Sequence, residues 1–230
     1  MTGTMITTIG EVEQAVTAIG GVRVLHVMAA EPEYGPELRQ RIAPLCTGVG
    51  PVEAAAVVAA ALATSAGAGA PIDLVISLGS AGSATTARGS IHQVSSVSWR
   101  DVDASALGIP AGITPFLGLA AEQAIPWSVP GVPSARLSTG ADIVSGADAY
   151  RAIDADLVDM ETWAVLRACQ MADVALIGLR GVSDGADDLV AMDGWTDHLT
   201  AVDHGLARAL DAVHRAVGDG LVAAARWAPH

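Results

Sequence analysis

The stretch VALIGLRGVSD at residues 174–184 decides the fold class of this 230-residue chain. Its residues 174–181, VALIGLRG, form a continuous hydrophobic run that ends near a glycine, which predicts a strand covered on both faces of a sheet. Two earlier stretches have the same form, VRVLHVMAA at 22–30 and IDLVISL at 72–78. Helical patterns are predicted at 53–64, 162–171 and 200–217. This alternation predicts an α/β domain.

Two further segments complete the predicted layout. A shorter strand is expected around 95–97. The stretch 108–133 carries five prolines and four glycines, which predicts an irregular surface excursion. We expect one domain over 1–230, with 1–20 as an N-terminal extension and 218–230 as a C-terminal tail, because this length suits a single compact unit.

Composition excludes several classes of function. Hydrophobic residues make up 51% of the chain and charged residues 16%, which is too apolar for disorder. The net charge is −13 and the chain contains no lysine, so Schiff-base and P-loop lysine chemistry are excluded. The negative charge without a basic run also argues against a nucleic-acid partner.

Neither the cysteines nor the histidines form a ligand pattern. Cys46 and Cys169 lie far apart without CxxC spacing, and the six histidines show no HxH or HxxxH spacing, so we expect no metal and no cofactor. His26 lies inside an apolar strand and is predicted to be a core residue.

The longest apolar run, 54–63, is half of the ~20 residues that a spanning helix needs. Without a signal-peptide pattern, the sequence predicts a soluble cytoplasmic protein without a membrane partner.

Acidic residues follow the first strand, at Glu31 and Glu33. Ligands of open α/β sheets sit beyond the carboxyl ends of the strands, so a carboxylate here could act as a base on water. The alternative is a solvated loop at a helix start, which this segment alone favours. Residues 47–54, TGVGPVEA, lack the third glycine of a dinucleotide fingerprint and predict a turn before a helix.

Three other motifs have both a chemical and a structural interpretation. LGSAGS at 78–83 is either a turn that lets backbone approach a ligand or a plain tight turn. In VDMET at 158–162, a carboxylate could accept two ribose hydroxyls while Met160 packs on a flat ring, or both acids could cap a helix. Asp184, held by Ser183 at a strand end, could donate a proton or belong to an Asx-rich turn.

In order and spacing, these motifs resemble the nucleoside phosphorylase and nucleosidase superfamily, and within it the 5′-methylthioadenosine/S-adenosylhomocysteine nucleosidases. The resemblance runs from about residue 22 to 217 and is most specific at VDME (158–161) and LRGVSD (179–184). It implies a three-layer α/β/α domain with a central mixed, partly barrel-like sheet.

The resemblance also implies roles for individual residues. Glu33 corresponds to the glutamate that activates water, Glu161 to the one that holds the ribose hydroxyls, and Asp184 to the acid that protonates purine N7. Ser183 is expected to orient Asp184. The remaining residues expected to bind substrate are Ser80, Ala81, Ile143, Val144, Met160, Trp195 and, from a partner chain, Leu107.

The implied reaction is hydrolysis of the N-glycosidic bond of a purine nucleoside by a homodimer. Phosphorylases of this superfamily hold phosphate with arginines, one of them shortly before the turn at Ser80, but residues 76–80 contain no arginine here and the turn after the first strand is acidic, which favours water over phosphate as the nucleophile. Ile143 stands where the family has a stacking phenylalanine, so the 5′ substituent and the base remain open. The alternatives are a nucleosidase for another modified nucleoside such as futalosine, a purine nucleoside phosphorylase, and a silent nucleoside-binding protein.

Overall fold

The computed structural model describes residues 8–187, 193–196, 198–224 and 227. Within these residues one mixed sheet contains nine strands. The strands are β1 (Val16–Ile19), β2 (Val22–Met28), β3 (Leu45–Cys46), β4 (Leu74–Gly82), β5 (Ile91–Trp99), β6 (Glu122–Ala124), β7 (Ser134–Thr139), β8 (Leu157–Asp159) and β9 (Ala175–Asp184). The helices are α1 (Ile9–Gln14), α2 (Pro36–Arg39), α3 (Pro51–Gly67), α4 (Ala147–Arg151), α5 (Thr162–Ala172), α6 (Asp193–Thr196) and α7 (Leu199–Gly218).

Five of the strands close into a barrel. β9 pairs in parallel with β4 and antiparallel with β5, β5 pairs in parallel with β7, and β7 with β8. The ring closes where Gly82 of β4 meets Val158 of β8 in antiparallel fashion. β2 extends this barrel in parallel beside β4. Helices α3 and α5 pack together, whereas α7 packs against β9 with α2 beside it. The expected mixed, partly barrel-like sheet among helices is confirmed.

The core lies where apolar strands are covered on both faces. In β4 and β9 the large side chains are buried, Leu74, Ile76, Leu176 and Ile177 among them. Each such residue contributes about 1.5–3 kcal/mol when its side chain leaves water. This explains why both strands appear in the sequence as continuous hydrophobic runs rather than as alternating ones.

Both central strands extend further than their apolar runs. The turn expected after the predicted strand 72–78 is wrong at residues 79–82, because β4 continues to Gly82. Similarly, β9 continues past Gly181 to Asp184. The reason is that the two strands pair with each other along this stretch, Ser80 with Gly181 and Gly82 with Asp184. Their small residues therefore belong to paired strands rather than to turns.

The periphery also departs from the expected layout. Residues 9–19, within the expected N-terminal extension, form α1 and the edge strand β1, which pairs antiparallel with β2. The excursion at 108–133 contains the short strand β6, which pairs with β5. His26 is fully buried in β2, as expected for a core residue. No helix in the described part of the chain is long and apolar enough to cross a membrane.

Candidate active site

A pocket of about 580 Å³ opens at the carboxyl ends of several strands. Its walls come from the segment after β2, from the last residues of β4, from the β8–α5 junction and from the end of β9. The volume is within the range of small-molecule sites. Among the described residues, no group of three or more His, Cys, Asp or Glu side chains is arranged to hold a metal ion.

Glu33 lies at one side of this pocket, in the 3₁₀ segment Glu31–Glu33, and is 6% exposed. Its Oε1 accepts hydrogen bonds from Ser80 N at 2.7 Å and from Ser80 Oγ at 2.5 Å. Its Oε2 has no partner among the described residues. Burial raises the pKa of this carboxyl, against which the Ser80 bonds work. One acceptor atom of this buried carboxyl is thus left without a hydrogen-bond partner among the described residues.

Glu161 stands between β8 and α5 and also lines the pocket. Its Oε1 accepts a hydrogen bond of 2.7 Å from Gly50 N, immediately before α3. Burial raises the pKa of Glu161 to about 7, and the neighbouring charge of Asp159 adds to this rise. Met160 lines the pocket beside it.

Asp159 has a structural task that separates it from Glu161. Its Oδ2 accepts a hydrogen bond of 3.0 Å from Thr162 N, so the helix-capping interpretation is correct for this acid. The Glu161 side chain makes no capping bond. Asp159 also forms a salt bridge of 3.0 Å with Arg180, and both side chains are at most 3% exposed. A buried ion pair of this kind needs further hydrogen bonds, which Ser77 and Thr162 accept from Arg180.

Asp184 ends β9 and is 7% exposed. Ser183 Oγ donates to its Oδ2 at 2.8 Å, and the Tyr150 hydroxyl donates to its Oδ1 at 3.2 Å. The Asx-turn interpretation is wrong at this residue, because Asp184 belongs to the strand. The carboxyl group therefore has one hydrogen-bond donor on each oxygen.

The pocket is also lined by apolar side chains and an indole. Trp195 Nε1 donates to Ser80 Oγ at 3.0 Å, which links this residue to the Glu33 side. Ile143 is 71% exposed and Val144 is buried, and both belong to the connection between β7 and α4. All three residues line the pocket.

The structure brings most of the predicted site residues together. Those that line the pocket are Glu33, Ser80, Ala81, Ile143, Val144, Met160, Glu161, Asp184 and Trp195. Ser183 contacts Asp184 from outside the lining. Leu107 does not line the pocket of its own chain and is 74% exposed.

The sequence analysis does not identify two residues of the site, Arg100 and Tyr150. Arg100 lines the pocket and donates to the carbonyl oxygens of Ser138, Asp159 and Asp142, so it anchors the β7–α4 connection. Tyr150 contacts Asp184 although it belongs to no motif. The only signal for Arg100 was its place in the polar segment after β5. Tyr150 gave none, because its partner lies 34 residues further along the chain.

A five-stranded mixed barrel between helices, with acidic residues at the strand ends, defines a nucleoside phosphorylase-like fold. Residues 132–217 match the sequence model of the Phosphorylase superfamily, which confirms the resemblance inferred from the motifs. No curated protein matches the chain. The matched stretch contains Glu161 and Asp184 but not Glu33.

Solved structures extend this likeness to most of the chain. A 5′-methylthioadenosine/S-adenosylhomocysteine nucleosidase from Neisseria meningitidis, in complex with methylthio-immucillin-A, is similar at 22% identity and a TM-score of 0.69, over 85% of this chain and 98% of that one. The corresponding nucleosidase from Helicobacter pylori, with butyl-thio-DADMe-Immucillin-A, is similar at 20% identity and 0.69, over 82% and 95%. A futalosine hydrolase mutant from Helicobacter pylori is similar at 18% identity and 0.68, over 82% and 98%. At these identities the likeness establishes the fold.

Proposed function

We propose that this chain hydrolyses the N-glycosidic bond of a purine nucleoside, with 5′-methylthioadenosine or S-adenosylhomocysteine as the preferred substrate. The observation that carries the proposal is the convergence of Glu33, Glu161 and Asp184 on one pocket. Breaking an N-glycosidic bond leaves positive charge on the sugar and negative charge on the base. Carboxyl groups in different protonation states can assist at both ends.

Asp184 is the group that we assign to the departing base. A protonated carboxyl would give its proton to purine N7, and the electron pair of the glycosidic bond would then leave with a neutral base. Its contacts with Ser183 and Tyr150 support this role, because both donors stabilise the carboxylate that forms when the proton is transferred. General acid catalysis of this kind is typically worth ~10²–10⁴-fold in rate.

Glu33 is the group that we assign to the attacking water. Its Oε1 is held by Ser80, whereas its Oε2 is free to accept a proton from water. Burial raises the pKa of this carboxyl, which makes it a stronger base than an exposed glutamate once it is ionised. Glu161, in turn, would accept the ribose hydroxyls with the oxygen that Gly50 does not occupy.

Water fits this pocket better than phosphate does. The guanidinium of Arg100 already donates to three backbone carbonyls, and that of Arg180 is committed to Asp159 and its neighbours. A phosphate dianion would also meet the buried Glu33. This favours a hydrolase over a phosphorylase.

The substrate is tested by incubating the protein with methylthioadenosine, adenosylhomocysteine, futalosine and inosine in phosphate-free buffer. Free base is then separated by chromatography. We expect adenine from the first two substrates at a rate that added phosphate does not change. Base released from futalosine alone would select the nucleosidase for another nucleoside, and phosphate dependence would select the phosphorylase. Binding without release of base from any substrate would select the silent binding protein.

The acid assignment predicts that Asp184→Asn lowers kcat by about 10²–10⁴-fold, because the amide cannot protonate the base. The affinity for nucleoside, measured by calorimetry, should change less than about threefold, since the amide has nearly the same shape as the carboxyl group and keeps one acceptor oxygen. Asp187→Asn is the matched control, because Asp187 is exposed and pairs with Arg88 outside the pocket. If Asp184→Asn keeps most of its kcat, the acid assignment is wrong.

A further inference from the structure

The Tyr150 hydroxyl contacts the carboxyl oxygen of Asp184 that Ser183 does not use. Tyr150 lies in α4 and is 7% exposed, and its hydroxyl is 3.2 Å from Asp184 Oδ1. This distance is long for a bond between two oxygens. Hydrogen bonds in empty active sites are often loose and shorten when substrate binds.

Gly82 makes this contact possible. A Cβ atom at position 82 would lie 2.1 Å from the Tyr150 hydroxyl and 2.7 Å from Asp184 Oδ1. Both distances are far below van der Waals contact, so any side chain here would separate the two groups. The backbone of Gly82 does not have a positive φ, and its lack of a side chain therefore serves space rather than conformation.

The Tyr150 ring belongs to the same wall that receives a ligand. It packs against Val144 and Val158, and Ile153 and Ala186 pack on this small cluster. Val144 and Val158 both line the pocket. The Tyr150 side chain therefore joins two parts of the site. Its ring packs on the segment between β7 and α4, and its hydroxyl contacts the carboxyl group at the end of β9.

The phenol is a hydrogen-bond donor near neutral pH. Burial raises the pKa of Tyr150, and the charge of Asp184 raises it further. The hydroxyl proton is consequently retained on Tyr150. The hydroxyl can then donate to Asp184 in its ionised state and stabilise it.

We infer that Tyr150 is a positioning residue for Asp184, which holds the carboxyl group toward the base and stabilises it after proton transfer. The inference rests on the proposed function. In the transfer step one proton moves from the Asp184 carboxyl to N7 of the purine, the glycosidic electron pair goes to the base, and Tyr150 keeps its own proton. Tyr150 acts only through Asp184 and touches no reacting atom.

The test is a double-mutant cycle between Tyr150→Phe and Asp184→Asn, measured as release of free base. Tyr150→Phe alone should lower kcat by about 10- to 100-fold, the loss expected for one hydrogen bond to a charged group, with KM changed less than about threefold. In the Asp184→Asn background the same substitution should lower the residual rate less than about twofold. A role only in packing would give equal factors in both backgrounds.

Two control variants separate the hydroxyl from the ring and from a general effect. Tyr34→Phe removes the only other tyrosine hydroxyl, which donates to the Ile42 carbonyl away from the pocket. Ile153→Val trims the packing around the Tyr150 ring and keeps the hydroxyl. Both should keep kcat within about twofold.

The outcomes distinguish this inference from the proposed function. If wild-type protein releases base, Asp184→Asn does not and Tyr150→Phe keeps full kcat, only the role of Tyr150 is overturned. Equal losses from Tyr150→Phe in both backgrounds overturn it as well. If wild-type protein releases no base from any nucleoside, the proposed function and this inference fail together.

Discussion

Gly79 and Gly82 of β4 leave room for acidic side chains because glycine has no Cβ atom. A Cβ at Gly79 would lie 3.3 Å from Glu33 Oε2, and one at Gly82 would collide with Tyr150 and Asp184. Neither glycine has a positive φ. Their role is therefore steric, and it explains why the run at 78–83 contains only small residues after Leu78 although it is strand to Gly82.

A second arrangement at this scale is the contact between His26 in β2 and His214 in α7. The two Nε2 atoms are 2.9 Å apart, and His26 Nδ1 lies 3.4 Å from the Ala15 carbonyl oxygen. Burial lowers the pKa of His26 to about 4, with His214 as the second cause. Burial also lowers the pKa of His214, against the charge of Asp211. Burial thus favours the neutral form of both rings in the folded protein.

This pair predicts that stability falls with acid. The pKa of His26 is lower in the folded state than its ordinary value of 6.5, so the unfolded chain binds more protons below pH 6.5 and stability is lost as the pH falls toward 4. Between pH 7 and pH 5 we expect His26 to account for about 2 kcal/mol of the lost free energy of unfolding. Guanidinium titrations at both pH values measure this.

The control variants are compared by the stability that each protein loses between pH 7 and pH 5, not by absolute stability. His26→Leu should lose about 2 kcal/mol less than wild type between the two pH values, because the leucine does not titrate. His204→Gln, at an exposed histidine, should keep the wild-type difference. Equal pH dependence in wild type and His26→Leu would contradict the role of the buried ring.

At the scale of elements, α2 takes its N-terminal cap from another helix. Asp203 of α7 is 3% exposed, and its two oxygens accept hydrogen bonds from Glu37 N at 2.8 Å and Leu38 N at 3.0 Å. The residue before α2 is Gly35, which offers no side chain for this purpose. A Cβ there would lie 2.4 Å from Asp203 Cγ. Glycine therefore lets a distant carboxylate cap the helix that follows Glu33.

Asp203→Ala is expected to lower the free energy of unfolding by about 2 kcal/mol, because it leaves the buried N–H of Leu38 and the partly buried N–H of Glu37 without acceptors. Asp203→Asn should lose roughly half of that, since its amide has a single oxygen to accept a bond. Chemical denaturation of the three proteins at pH 7 gives the order. If Asp203→Ala equals wild type in stability, the cap does not contribute.

The sequence predicts the ends of a helix or strand well only where neighbouring residues determine them. Helix α7 was expected at 200–217 and runs from Leu199 to Gly218, because its apolar stripe is a local pattern. The ends of β4 and β9 were predicted too short, because their glycines and serines form strand only through pairing with each other. Nine of the predicted site residues line the pocket, and most of them lie at a strand end or in the segment that follows one. Tyr150 and Arg100 depend on contacts between distant segments, which local sequence does not encode.

On the scale of the whole molecule, barrel closure makes the site composite. Glu33 and Ser80 come from the first half of the chain, whereas Glu161 and Asp184 lie within the 132–217 stretch that matches the superfamily. The two halves meet where β4 pairs with β9 and where Gly82 meets Val158. The acid and the base that we propose therefore line one pocket although they are 151 positions apart in the sequence.

Several apolar residues in the segment after β5 are exposed on the surface of the single chain. Leu107 is 74% exposed and Phe116 98%, and Phe116 adopts a φ of 63°, which is uncommon for a residue with a bulky side chain. Leu117, the residue after Phe116, is 56% exposed. An apolar surface of this kind is typical of a protein interface. We propose that it joins two copies in a homodimer, with Leu107 of one copy near the pocket of the other.

The dimer proposal predicts a mass of twice 23.2 kDa for the wild-type protein by light scattering after size-exclusion chromatography. Leu107→Asp should shift the mass to that of one chain, because a buried, unpaired carboxylate disfavours the interface. It should also lower kcat/KM by about tenfold or more, since the pocket would lose a wall. Ile9→Asp, the same change at another exposed apolar residue, should alter neither quantity. A wild-type protein that is monomeric at its assay concentration, yet fully active, would contradict a pocket shared between two chains.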